Sequence, residues 1–133
     1  MPLKLPEIAD AIHRLAQRIE APEHLLPTFG RTEDGGRPHL EVDERNYHFV
    51  VVERGVELER KTTPSIEELL YYVFASVTFA LAGQKKTLPG KDPRRSMFAR
   101  QVKLLSQLSP EWAQREAQAH EEILQRHPFR DAW

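Results

Sequence analysis

The chain has 133 residues, no cysteine and a net charge of −1. That length is expected to form one domain over residues 1–133, large enough to bury roughly two-thirds of its unfolded surface without staples. The missing cysteines exclude a disulfide framework, thiolate zinc sites and thiol catalysis, and the balanced charge excludes a global field that would draw the protein to nucleic acid.

The first segment, MPLKLPEIADAIHRLAQRIE, carries charges throughout and has no apolar stretch of the kind a signal peptide needs. Leu5-Pro6-Glu7 opens a helix, because proline at the first helical position gives up an N–H that would be unpaired anyway. Ile8, Ile12, Leu15, Ala16 and Ile19 follow at steps of three and four, which sets one apolar face, and Pro22 is expected to end the helix. Residues 22–37 read as a loop punctuated by Pro22, Pro27, Gly30, Gly35 and Gly36, with one short turn at 23–26.

Three strands follow. Leu40 and Val42 alternate with His39, Glu41 and Asp43, and Glu44-Arg45 is turn-like. Tyr47, Phe49 and Val51 alternate with His48, Val50 and Val52, Arg54-Gly55 turns the chain, and Val56 to Lys61 returns. Thr63-Pro64 begins the next helix, with Ser65 and Glu68 as an alternative capping pair, and Gly83 stops it. The run from Leu69 to Ala82 is apolar over 14 residues. A membrane span takes about 20 residues, so the run is expected to be a core helix. Tyr71, Tyr72, Phe74 and Phe79 are read as its packing residues rather than base-stacking platforms. Asp92-Pro93 and Ser109-Pro110 cap helices over 93–107 and 110–126, with Trp112 a core anchor and Trp133 a frayed end. The fold class is α+β, a three-stranded antiparallel meander packed on a cluster of about four helices in the order α-β-β-β-α-α-α.

No catalytic constellation is visible. The serines sit in helices or caps without GxSxG, and Gly35-Gly36 lacks a phosphate-cradling context. Glu67 and Glu68 lie in a first helical turn, where the macrodipole favours them. His39, Glu41 and Asp43 share one strand face, and a two-residue turn sets Glu41 opposite His48, a ligand set of a kind zinc accepts. Without HExxH-type spacing, the plainer reading is a polar outer face. No enzyme activity, metal or cofactor is expected. Charge is uneven: between Gln84 and Lys103 seven basic residues stand against Asp92 alone, a net of +6, which leaves −7 elsewhere. The basic segment 85–103 supports a second reading, a nucleic-acid-binding or regulatory module.

One stretch has a family likeness. Tyr47-His48-Phe49-Val50-Val51-Val52-Glu53-Arg54-Gly55, Glu57-Leu58-Glu59-Arg60, Thr62-Thr63, Glu68-Leu69-Leu70-Tyr71 and Val77-Thr78-Phe79 occur in order. Arg94-Arg95 with Phe98, Pro110-Glu111-Trp112-Ala113 and His127-Pro128-Phe129 continue the series. Over about residues 24–130 the chain resembles the immunity protein 63 family of bacterial polymorphic-toxin systems. The resemblance implies a small non-catalytic cytoplasmic protein whose partner is a cognate toxin. If the strand registers hold, His39, Glu41, Asp43, His48, Glu57 and Glu59 form an acidic strip on the outer sheet face. Such a strip suits the basic cleft of a toxin that acts on nucleic acid.

Overall fold

The computed structural model describes residues 2–132, so the expectation for Trp133 lies outside the described residues. Its elements are α1 (Leu5–Arg18), a short 3-10 turn (Glu23–Leu25), β1 (Thr28–Phe29), β2 (His39–Val42), β3 (Tyr47–Glu53) and β4 (Val56–Thr63), then α2 (Ile66–Gly83), α3 (Pro93–Ser106) and α4 (Pro110–Arg126). The chain divides into two compact units, residues 1–73 and 74–133, and α2 contributes to both.

In the first unit the sheet order is β1-β2-β3-β4. The expected meander is there, β2 to β4, with antiparallel pairing throughout. A fourth strand joins it at the edge: Thr28 and Phe29 pair in parallel with His39 and Leu40. At two residues β1 is too short to leave an alternation signal in a loop-like sequence. Leu40, Tyr47, Phe49 and Val50 bury themselves along the sheet, and Ile8, Ile12, Ala16 and Ile19 bury the apolar face of α1. Tyr72 meets Phe49 edge-on at 6.4 Å, and the Lys61 ammonium sits 5.1 Å from the Tyr72 ring centre. The Tyr47 hydroxyl accepts the Leu3 N–H at 2.7 Å.

α1 ends at Arg18, four residues before the proline expected to stop it. Glu20 takes a left-handed conformation, φ 53°. Its N–H donates to the Gln17 carbonyl and the Ala21 N–H to the Ala16 carbonyl, at 3.2 and 2.9 Å. Those two bonds are a Schellman closure, which normally puts glycine where Glu20 stands. The β3–β4 connection follows its sequence more closely. Arg54 and Gly55 both have positive φ, the twist that a two-residue hairpin needs. Asp34 braces that turn, accepting the Arg54 N–H on its carbonyl and the Gly55 N–H on Oδ1.

α2 starts at Ile66, and Ser65 accepts the Glu68 N–H, so the serine rather than Thr63 caps it. By length and composition α2 could cross a membrane. Leu69, Phe74, Val77 and Thr78 are nevertheless all less than 2% exposed, which makes those positions core. Phe79 departs from the expectation of packing and is 53% exposed. In the second unit Phe74 stacks on Trp112 with ring centres 6.2 Å apart. Asp92 caps α3 and Ser109 caps α4, as the two cap-then-proline signals predict.

Candidate functional site

The two-residue turn at Glu44-Arg45 sets the β2–β3 register, and Glu41 does lie opposite His48. His39, opposite Val50, which is in turn opposite Arg60, shares that outer face, and His48 lies opposite Thr62. Polar side chains knit the face together. His39 Nε2 is 2.7 Å from Glu41 Oε2, and Glu41 Oε1 accepts from Arg60 at 3.2 Å. Arg60 donates to Glu57 at 2.9 Å. Asp43 leaves the strand and becomes a turn residue, accepting the N–H groups of Arg45 and Asn46. His48 Nε2 is 2.7 Å from Asp43 Oδ2, and its Nδ1 is 2.8 Å from the Thr62 hydroxyl. A neutral ring satisfies both contacts, with Nε2–H donating to Asp43 and Nδ1 accepting from Thr62.

The electrostatics follow from these contacts. The His39 hydrogen bond, with Arg60 behind it, holds the Glu41 carboxyl below its ordinary value. The Arg45 N–H, then His48 and the Asn46 N–H, bring Asp43 down to about 2. Arg60 is pushed up by Glu57 and Glu41.

The expected strip of six is therefore redrawn. Glu41, Asp43, His48 and Glu57 cluster on or beside the outer face. His39 belongs to it by register but is only 4% exposed, and its Nδ1 is buried without a partner, so it supports Glu41 from beneath. Glu59 is on the opposite face. A register shift between Val51 and Val52 pairs Glu57 with Val52 but Glu59 with Val51, which inserts Leu58 as an extra residue and breaks the alternation. Glu59 then shares a face with Lys61, 3.9 Å away. The residue that sequence reasoning overlooked is Arg60, which the same shift turns onto the outer face between Glu41 and Glu57. The strip is thus a mixed ion-pair network rather than a run of free carboxylates. Among the described residues no group of three or more His, Asp or Glu is arranged to hold a metal ion.

Net charge divides with the two units. Residues 1–73 hold nine basic and fourteen acidic residues, a net of −5, and residues 74–133 hold ten and six, a net of +4. Within the basic segment the arginines are engaged inside the fold. Arg94 grips Asp92 and the carbonyls of His127 and Pro128. Arg95 pairs with Asp131. Arg100 donates to the carbonyl of Ala82 in the last turn of α2 and to those of Lys85 and Lys86 beyond it. Lys85, Lys86, Lys91 and Lys103 remain as exposed cations of the segment.

No curated protein and no solved structure matches the chain. The immunity protein 63 family model matches residues 43–122, from the β2–β3 turn through β3, β4, α2 and α3 into α4, a narrower span than the residues quoted above. That is more than half of the sequence and includes the hairpin that carries Arg60 and Glu57: the chain belongs to the immunity protein 63 family.

Proposed function

We propose that this protein neutralises a cognate toxin of a bacterial polymorphic-toxin system by binding it and covering its active site or substrate surface. The observation that carries this reading is the family match over residues 43–122. The protein acts without catalysis of its own, in the cytoplasm of the cell that makes the toxin. The outer sheet face is the proposed contact, with Glu41, Asp43, His48 and Glu57 presented to the toxin and His39 fixing Glu41 from below. Its carboxylates belong to a unit of net charge −5, which favours encounter with a basic cleft. The nucleic-acid reading of segment 85–103 has less support, because Arg94, Arg95 and Arg100 already spend their donors inside the fold.

The test is direct. The toxin domain encoded beside this gene is titrated with the purified protein, and both binding and residual toxin activity are measured. A one-to-one complex with loss of activity is the expected result. Absence of binding, together with salt-sensitive binding to arbitrary DNA, would move the function to the basic segment.

A further inference from the structure

β4 is the edge of its sheet, and seven of its eight residues are exposed. The ladder tells which of its main-chain groups are spare. Asp43 N–H donates to the Asn46 carbonyl across the β2–β3 turn, and the Val52 carbonyl accepts from Gly36 on the side away from β4. Bonded and unbonded pairs alternate along an antiparallel ladder, so Tyr47, Phe49 and Val51 turn toward β4 and bond Thr63, Lys61 and Glu59. Glu57, Arg60 and Thr62 then turn their N–H and C=O groups outward. Beside them stand two exposed apolar side chains, Val56 at 57% and Leu58 at 58%.

We propose that the toxin docks by adding a strand to this edge, bonding the main chain of Arg60 and Thr62 and covering Val56 and Leu58. The proposal rests on the immunity reading and names the contact it would use. A bare edge usually invites any strand, and proteins guard it with charges and bulges. β4 has both: Glu57, Glu59, Arg60, Lys61 and the irregularity at Leu58. These guards also choose the occupant. A second copy pairing about a two-fold axis centred on Glu59, Arg60 or Lys61 sets a like charge directly against itself, which is unfavourable. Centring the axis on Thr62 brings Arg60 opposite Pro64, which has no N–H to give. Each of these registers, centred on residues 59 to 62, carries a penalty, whereas a foreign strand can place an acid near Arg60, a base near Glu57 and apolar residues over Val56 and Leu58.

The probe is the toxin domain encoded beside this gene, purified in inactive form. Amide hydrogen exchange is followed in the free protein and in the complex. In the free protein the Arg60 and Thr62 amides exchange at least tenfold faster than those of Glu59 and Lys61. In the complex Arg60 and Thr62 slow by tenfold or more. Thr62→Pro removes an outward donor without touching the internal ladder, so it keeps the fold and weakens binding at least tenfold relative to Thr62→Ala. A complex in which both amides still exchange freely overturns strand addition and leaves the immunity reading standing. No complex at all overturns that reading and this one with it. Slow exchange at both amides in the isolated protein, with a dimeric mass, makes a second copy the occupant and overturns the choice of partner.

Discussion

Gln101 and His120 face each other inside the second unit, with Oε1 of the glutamine 2.9 Å from Nε2 of the histidine. The Gln101 amide nitrogen donates to the Ala75 carbonyl, also at 2.9 Å. One side chain of α3 thus ties α4 to α2, and both polar residues are less than 6% exposed. Phe98 stacks on the imidazole with centres 3.9 Å apart. Burial pushes the His120 pKa down, and Glu116 only partly opposes this. Above that lowered value the folded ring is neutral, and Nε2–H then donates to Gln101. Because the unfolded ring titrates near 6.5 and the folded one lower, the unfolded state binds more protons in that interval. Stability should be full above about pH 6.5 and decline as pH falls from there toward the lowered folded value. Urea midpoints measured between pH 5 and 7.5 check this, and His120→Gln should flatten the profile. Gln101→Ala should cost about 1–3 kcal/mol, since it removes the buried acceptor that faces His120 and a donor to the Ala75 carbonyl.

Arg100 ties the last turn of α2 to the chain that follows it. Gly83 ends the helix, and the guanidinium gathers the carbonyls of Ala82, Lys85 and Lys86. Hydrogen bonds from a charged donor contribute about 1.5–3 kcal/mol. Arg100→Ala should lower stability by that order. Arg100→Lys should recover little of it, because a point ammonium cannot span three carbonyls as a planar fork does. Chemical unfolding of the two variants separates the geometry from the charge.

Glu20 offers the opposite sign. It holds φ 53° at the closing position of α1 with a side chain that makes left-handed backbone costly. Glu20→Gly should stabilise the protein by about 0.5–1 kcal/mol, after allowing for the extra freedom glycine has when unfolded. A lower urea midpoint in the variant would show that the carboxylate has a role that outweighs the strain.

Much of this architecture is written locally. Asp92-Pro93 and Ser109-Pro110 place two helix starts, Arg54-Gly55 places a hairpin, and Glu41 opposite His48 follows from a two-residue turn. What escapes is whatever depends on partners distant in sequence. β1 exists because Thr28 and Phe29 meet β2, and nothing in two residues signals that. The extra residue at Leu58 moves Glu59 off the strip and Arg60 onto it, although Val56 to Lys61 alternates plausibly as a plain strand. Gln101 shows only as a polar residue on a helix, and Phe79 only as an apolar residue on one. Their environments reverse both readings.

The carboxyl-terminal segment is held by a carboxylate that sequence marks only as a helix cap. Asp92 accepts the Arg94 N–H as a cap should, then accepts the Arg94 guanidinium and the Arg130 N–H. Asp131 answers by accepting the Asp92 N–H and pairing with Arg95, whose guanidinium lies 4.1 Å over the Phe129 ring. Arg94 first, then the main-chain donors, hold Asp92 far below its ordinary 3.8, and Arg95 likewise lowers Asp131. Both carboxyls are charged in the folded state and bind protons more readily when unfolded. Their contribution is therefore present above about pH 4 and lost as pH falls further through the folded values. Asp92→Asn keeps the size but loses the charge, so Arg94 and the Arg130 N–H are left with a weaker acceptor. Residues 127–132 should then exchange their amides faster and yield more readily to carboxypeptidase, while α4 keeps its protection. Native exchange rates in that segment, with uniform loosening of α4 instead, would show that the tail is held by Phe129 packing rather than by the Asp92 cluster.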